Sequence, residues 1–169
     1  LSEHETPGRG AFREGTMAKL RGSYALDRAT VEDGMWVKLR DGIEVKVRSV
    51  RSEIVKKVRA RAQRPYERLL ATQKWRYLPE QEEKIAETVI IEGVLLDWRN
   101  IEGEDGKPLP FNRETVKAII TDPEMVVFRE DIMTASGLDE TFRRELAEEI
   151  AGNSPAPSAS SSSEESVPN

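Results

Sequence analysis

The residues best placed to do chemistry lie in the stretch LLDWRNIEGEDGKPLPF, residues 95–111. Several side-chain oxygens come at close spacing there, as in a loop that binds calcium: Asn100, Glu102, Glu104 and Asp105. An EF-hand loop that began at Asn100 would need glycine at its sixth position and glutamate at its twelfth. Those positions hold Asp105 and Phe111. The spacing therefore predicts a solvated acidic turn rather than a metal site.

Catalytic and phosphate-binding motifs are also missing from the sequence. The chain has no cysteine, and its one histidine is His4. Acid–base work would fall to carboxylates, lysine or tyrosine, and carboxylates are too plentiful here to single out a pair. The segment GEDGKP contains a Gly-Lys pair, but it lacks the earlier glycine of a phosphate loop and has Pro108 in place of serine or threonine. We therefore expect a protein that is not an enzyme and uses no cofactor or metal.

Opposite charges are concentrated in the two halves of the chain. Residues 17–78 carry a net charge of +9 and residues 79–169 a net charge of −13, within a total of −5. One interpretation is a pair of surfaces for two partners, with the basic half touching nucleic acid or an acidic protein. The other is attraction between the two halves, and we favour it slightly.

The most basic segment is KVRSVRSEIVKKVRARAQR, residues 46–64, with eight lysines and arginines against one glutamate. A basic amphipathic helix of this kind could follow a phosphate backbone. It has no interleaved aromatic residues on which single-stranded bases could stack, and no evident helix-turn-helix partner. The alternative is a solvated helix face that pairs with the acidic half.

A β-hairpin is predicted by GMWVKLRDGIEVKVRSV, because apolar residues alternate on both sides of the turn. A two-residue turn would put the two apolar sets on opposite faces. A three-residue loop over 40–42, with Gly42 left-handed, puts them on one face. It pairs Leu39 with Ile43, Val37 with Val45, and Met35 with Val47. The polar face then pairs Lys38 with Glu44 and Trp36 with Lys46.

The candidate binding residues come from this hairpin and from the basic segment. Trp36 lies on the polar face of the hairpin, where it could anchor a contact. It could equally be covered by Tyr66 or by a nearby loop. We predict a partner-binding surface formed by Trp36 with Lys57, Arg61 and Arg64.

Helical periodicity dominates the rest of the chain. Ser52 is a candidate N-cap for a helix that would pack on the hairpin, and Pro65 should end or kink it. Its inward positions are predicted to be Ile54, Val55, Val58 and Ala62. The strongest long helix is predicted over residues 79–98, with an apolar face of Ile85, Val89, Ile90, Val94, Leu95 and Trp98.

Three more helices are predicted towards the carboxyl end. One is capped by Asn112, one begins at Pro123, and one carries Leu138, Phe142, Leu146 and Ile150 before Gly152. The fold class is therefore α+β, with an N-terminal β-hairpin packed on a mainly helical body of about five helices.

The predicted domain organisation is a single domain, residues 17–152, between two disordered segments. Residues 1–16 are poorly patterned and precede Met17, which has the look of a native start, so they are interpreted as a leader or upstream read-through. Residues 153–169, NSPAPSASSSSEESVPN, form an acidic tail rich in serine and proline. No apolar run approaches the ~18–20 residues of a membrane helix.

The order of several short motifs resembles a group of small tailed-phage and prophage proteins, the tail assembly chaperone-like family, over about residues 30–153. The Trp-containing hairpin and the basic helix reaching Arg64-Pro65-Tyr66 come first. The closing helix TFRRELAEEIAGN comes last. Between them stand Leu95-Leu96-Asp97-Trp98, Glu104-Asp105-Gly106, Pro108-Leu109-Pro110-Phe111 and Asp122-Pro123.

The resemblance implies a non-enzymatic chaperone that binds the tape measure protein and keeps it soluble while the tail of a siphophage assembles. The tail tube protein and a second copy of the chain are further partners that it leaves open. It places the protein in the host bacterial cytoplasm and not in the mature virion. The alternative is a small nucleic-acid-binding regulator that uses the basic segment 46–64.

Overall fold

The computed structural model describes residues 19–143. Six α-helices and one three-stranded antiparallel sheet make up this part of the chain, so the predicted α+β class is confirmed. The helices are α1 (Leu20–Tyr24), α2 (Arg28–Asp33), α3 (Glu53–Leu70), α4 (Pro79–Val89), α5 (Arg113–Ile120) and α6 (Val126–Gly137). The strands are β1 (Met35–Lys38), β2 (Glu44–Val47) and β3 (Leu95–Arg99), in the order β1-β2-β3.

The hairpin has the register that the alternation of apolar residues predicts. Its pairs include Val37 with Val45 on the apolar face and Trp36 with Lys46 on the polar face. The loop Arg40–Gly42 is a 3-10 turn in which both Asp41 (φ 57°) and Gly42 (φ 77°) are left-handed. The three-residue loop is therefore confirmed, because only this loop length places the apolar side chains of both strands on one face.

The long helix predicted over residues 79–98 is wrong in its last part. Pro79 begins α4 as expected, but α4 ends at Val89 and a buried π-helical turn follows, Ile90–Val94. Residues 95–99 then form β3, which pairs with β2 and makes it the central strand. A short apolar run fits a helix and a buried strand equally well, and here the unpaired edge of the hairpin decides in favour of the strand.

Helix α3 begins where it was predicted and continues further. The Ser52 side chain accepts hydrogen bonds from the backbone N–H groups of Ile54 and Val55, which confirms the N-cap. The helix runs through Pro65, so the predicted end there is wrong. Proline removes one donor in the helix interior, and its position is exposed, where water can satisfy the freed carbonyl. Ile54 is exposed and does not face inward as predicted.

The core lies between the sheet and the helices that cover it. Its fully buried side chains include Val45, Val55, Ile90, Ile120 and Ile132. The apolar face of the hairpin packs mainly against α6 and the turn 139–142, whereas α3 packs on α4 and the π-helical turn. The prediction that α3 packs on the apolar face of the hairpin as its main cover is therefore wrong.

The carboxyl end of the described chain is only partly helical as predicted. Asn112 caps α5 by accepting from the Thr115 N–H, and a 3-10 turn starting at Pro123 leads into α6, as expected. Residues 139–142 form a 3-10 turn, and Leu138 is exposed while Phe142 is buried. The predictions for 1–16, for the rest of the closing helix and for the tail 153–169 fall on or extend into segments outside the described residues.

A carboxylate from α2 holds the start of α3. Glu32 accepts a hydrogen bond from the Ser52 hydroxyl at 2.7 Å and one from the Glu53 N–H at 2.9 Å. The first of these bonds, and then the second, lowers the pKa of Glu32 from its ordinary value of 4.5, and Arg48 contributes further. A lowered pKa in the folded state means that the ionised carboxylate stabilises the fold.

We expect Glu32→Gln to lower the free energy of unfolding at pH 7 by about 1 kcal/mol, the effect of losing a charged group at a helix N-terminus. The stabilisation is complete above pH 4.5 and is lost as the pH falls through the lower pKa of the folded state. The difference in the free energy of unfolding between the unchanged protein and Glu32→Gln, measured with urea, should therefore shrink as the pH is lowered below 4.5. Glu67→Gln, near the other end of α3, is the control. A gap that stays constant down to pH 2 would contradict the assignment.

Candidate functional site

The predicted basic residues of α3 lie on one stripe of the helix. Lys57, Arg61 and Arg64 are all exposed, and the stripe continues to Arg68. Successive spacings of four, three and four residues keep these four side chains within about 60° of arc on an α-helix. We call these four residues the basic ridge. The sequence analysis did not identify Arg68, because it expected the helix to end or kink at Pro65. A helix continued past Pro65 would have placed Arg68 on the same stripe.

Most of the basic ridge has no counter-charge among the described residues. Arg61 pairs with Glu92 on the π-helical turn. Lys57, Arg64 and Arg68 form no ion pair with any residue of the described segment 19–143. The opposite side of α3 is the core side, with Val55 and Val58 buried. The ridge therefore points away from the core three cations that form no ion pair within residues 19–143.

The rest of the basic segment 46–64 is dispersed by the fold. Arg48 turns inward, where its guanidinium donates to the carbonyl oxygens of Glu32 and Gly93. Arg51 forms a bidentate pair with Asp139, at 2.7 and 2.8 Å. That ion pair, together with Arg40–Asp131 and Arg61–Glu92, links the basic half of the chain to the acidic half. Attraction between the halves thus accounts for part of the charge asymmetry.

Trp36 lies apart from the ridge, on the outer face of the sheet. The guanidinium of Arg99 stands over its indole ring, 4.2 Å from the ring centroid. Arg99 also forms an ion pair with Glu44, the neighbour of Arg99 on β2. This cover is neither Tyr66 nor a loop, the two alternatives considered from the sequence. Trp36 remains 36% exposed, and its cation–π contact is with Arg99 of β3, a residue of the sheet and not of α3.

The acidic stretch around residues 100–106 forms a closed turn. The Asp105 carboxylate accepts from the Lys107 N–H at 3.1 Å, and Glu102 and Pro108 form a bridge. The indole N–H of Trp98 donates to the Leu109 carbonyl at 2.9 Å and fastens the turn to the sheet. Within residues 19–143, no cluster of three or more acidic or histidine side chains could hold a metal ion.

The fold and these surfaces define a small α+β protein whose most distinctive exposed feature is a charged helix face. The model of the YdaY prophage protein family matches residues 50–153, which is more than half of this chain. The protein belongs to the YdaY prophage protein family. The matched segment contains the whole basic ridge but not the hairpin or Trp36.

No curated protein and no solved structure matches this chain. The prophage origin is therefore the part of the expected identity that the comparisons support. Among the described residues, no helix is long and apolar enough to cross a membrane.

Proposed function

We propose that the protein is a non-enzymatic tail assembly chaperone that binds the tape measure protein of its phage and keeps it soluble. Membership of a prophage protein family supports a role in the phage life cycle. The order of short motifs along residues 30–153 supports the narrower assignment by resemblance. Such a protein works in the host cytoplasm while tails assemble and is absent from the finished particle. The tail tube protein and self-association are secondary possibilities of the same proposal.

The observation that carries this proposal is the basic ridge with its apolar neighbours. Two exposed aliphatic side chains of α3, Ile54 and Leu69, precede and follow the ridge along the helix, and each is 44% exposed. Exposed aliphatic side chains beside unpaired cations suit an amphipathic helix with acidic residues along its border. Individual surface ion pairs contribute little, about 0–1 kcal/mol each, so a bound helix would have to engage several cations of the ridge together.

We expect co-expression with a tape measure fragment to raise the soluble yield of that fragment, and Lys57→Glu with Arg64→Glu to abolish the gain. The double charge reversal would repel the acidic border of the bound helix. The matched control is Arg113→Glu with Lys117→Glu, two exposed cations of α5 that form no ion pair within the described segment. Soluble yield, measured by sedimentation of the lysate and gel densitometry, reports the effect. Equal loss in both double variants would contradict a specific role of the ridge.

A nucleic-acid-binding regulator is the second candidate, because three ridge cations without carboxylate partners also suit a phosphate backbone. In that case a 20-base-pair duplex should bind with an affinity that falls steeply with salt, and the ridge variant should flatten the slope. Fluorescence anisotropy at several salt concentrations measures this. Tight DNA binding, together with no effect on the tape measure fragment, would replace the chaperone proposal with this one.

A further inference from the structure

A second surface, separate from the basic ridge and from Trp36, is an apolar groove at the turn end of the sheet. It encloses a volume of about 540 Å³, within the ~300–1,000 Å³ range of binding pockets in proteins. Its floor is built by the hairpin, the 101–109 turn, α5 and α6, through Leu39, Ile43, Ile101, Leu109, Ile119 and Phe128. These six side chains are only half-buried, and they are continuous with the core.

The rim of this groove is acidic. Asp131 is neutralised by Arg40, whose guanidinium holds it with two hydrogen bonds at 2.7 and 2.9 Å. Five other carboxylates of the groove form no ion pair within residues 19–143: Asp41, Glu102, Glu104, Asp122 and Glu124. The floor is apolar, and most carboxylates of the rim form no ion pair within the described residues. A ligand that is apolar in the middle and cationic at its edges would complement both.

We propose that the groove binds a segment of a partner protein in which large apolar side chains are flanked by lysine or arginine. Apolar side chains of an amphipathic helix would enter the floor, and the long cationic side chains would reach the rim carboxylates. Charge complementarity argues against the protein's own carboxyl end, because residues 144–169 carry five glutamates and one arginine and would be repelled. The basic ridge of a second copy has the right charge, but only Ile54 and Leu69 flank it, and these lie four helical turns apart.

This proposal is independent of the chaperone assignment, since it concerns a different surface and a partner of opposite charge. Its test uses the full chain and a fluorescein-labelled 15-residue peptide of leucine and lysine in a helical pattern. A peptide with glutamate in place of every lysine is the charge control. Fluorescence anisotropy should show binding of the lysine peptide and none of the glutamate peptide.

The apolar lining of the groove is tested by two neighbouring valines with almost equal exposure. Val127 lines the groove and is 45% exposed, whereas Val126 is 43% exposed and does not line it. Val127→Asp should weaken binding of the lysine peptide about tenfold or more, because it places a charge in the apolar lining. Val126→Asp should change it less than twofold. Both add the same negative charge, which by itself would favour a cationic peptide.

The rim is tested by neutralising three of its carboxylates, and the control neutralises three carboxylates elsewhere, so the two variants have the same net charge. Glu102→Gln, Glu104→Gln and Glu124→Gln together should weaken binding about tenfold and reduce its salt dependence. The control triple is Glu67→Gln, Glu80→Gln and Glu82→Gln, three exposed carboxylates outside the groove. Equal weakening by both triples would mean general attraction and would overturn the proposal, as would unchanged binding by Val127→Asp. Oligomers in sedimentation velocity that Val127→Asp dissociates would overturn it in favour of a second copy.

Discussion

Arg129→Ala should lower the free energy of unfolding by about 3 kcal/mol, the largest effect we expect from removing a single charge. The side chain of Arg129 is buried, with 6% exposed, on α6. Its guanidinium donates to the carbonyl oxygens of Ile120, at 3.0 Å, and Asp122, at 2.7 Å, just where α5 ends. It also donates to the Glu83 carboxylate of α4 at 2.7 Å. One cation therefore joins three helices.

The expected loss has two physical parts. The last carbonyls of α5 have no partners within the helix, and without Arg129 at least one of them would be left buried and unsatisfied. A cation at a helix C-terminus is also favoured by the helix dipole. Glu83 is half-exposed and can be solvated after the change, so its share of the loss is small.

Urea unfolding followed by circular dichroism measures this effect, with Arg113→Ala as the control. Arg113 is an exposed residue in the first turn of α5, and we expect its removal to cost less than about 0.5 kcal/mol. Arg129→Lys should recover only part of the stability, because an ammonium group lacks the planar fork that reaches several acceptors at once. If Arg129→Ala and Arg113→Ala destabilised the protein equally, the assigned role of Arg129 would be wrong.

Gly34→Ala should destabilise the fold by about 2–4 kcal/mol, from backbone strain and a steric clash together. Gly34 joins α2 to β1 with φ 80° and ψ 163°, a conformation nearly restricted to glycine. A Cβ atom there would lie 2.6 Å from Leu96 Cδ1 and 2.8 Å from the carbonyl oxygen of Val47. The leucine side chain can move, but the Val47 oxygen belongs to the backbone of the central strand and cannot move without distorting the sheet.

Gly42→Ala is the matched control for this change. Gly42 has nearly the same φ, 77°, but no atom lies within 4 Å of the position that its Cβ would occupy. The control therefore carries only the cost of a left-handed alanine, about 1–2 kcal/mol. The difference between the two variants in urea unfolding measures the steric clash together with the extra backbone strain at ψ 163°. Equal destabilisation of both would contradict the assigned clash at Gly34.

The hairpin illustrates what local pattern could predict. Its register follows from period-two alternation and loop length, and both are properties of residues 35–47 alone. The caps Ser52 and Asn112 were predictable for the same reason, since an N-cap is a contact between neighbours in the chain. Three of the four ridge cations, Lys57, Arg61 and Arg64, were also identified from the sequence, because helical spacing determines which side chains share a stripe.

Contacts between distant segments were not predictable in this way. Residues 95–99 fit a helix by spacing, and became a strand because the open edge of β2 needed backbone partners. The cover over Trp36 comes from Arg99, on a strand that the periodicity did not reveal. The apolar groove likewise combines residues from four elements, of which the stretch 95–111 supplies one wall.

The sequence by itself determined the class of the fold, the hairpin register, the starts of α3, α4 and α5, and the presence of a cationic helix face. Each depends mainly on residues within a few positions of one another. The tertiary structure decided which cations stay unpaired, since Arg48, Arg51 and Arg61 found partners far along the chain. It also decided that acidic side chains from separate segments would surround an apolar floor. Burial and ion pairing depend on what lies opposite a side chain in space, and chain order alone does not specify that neighbour.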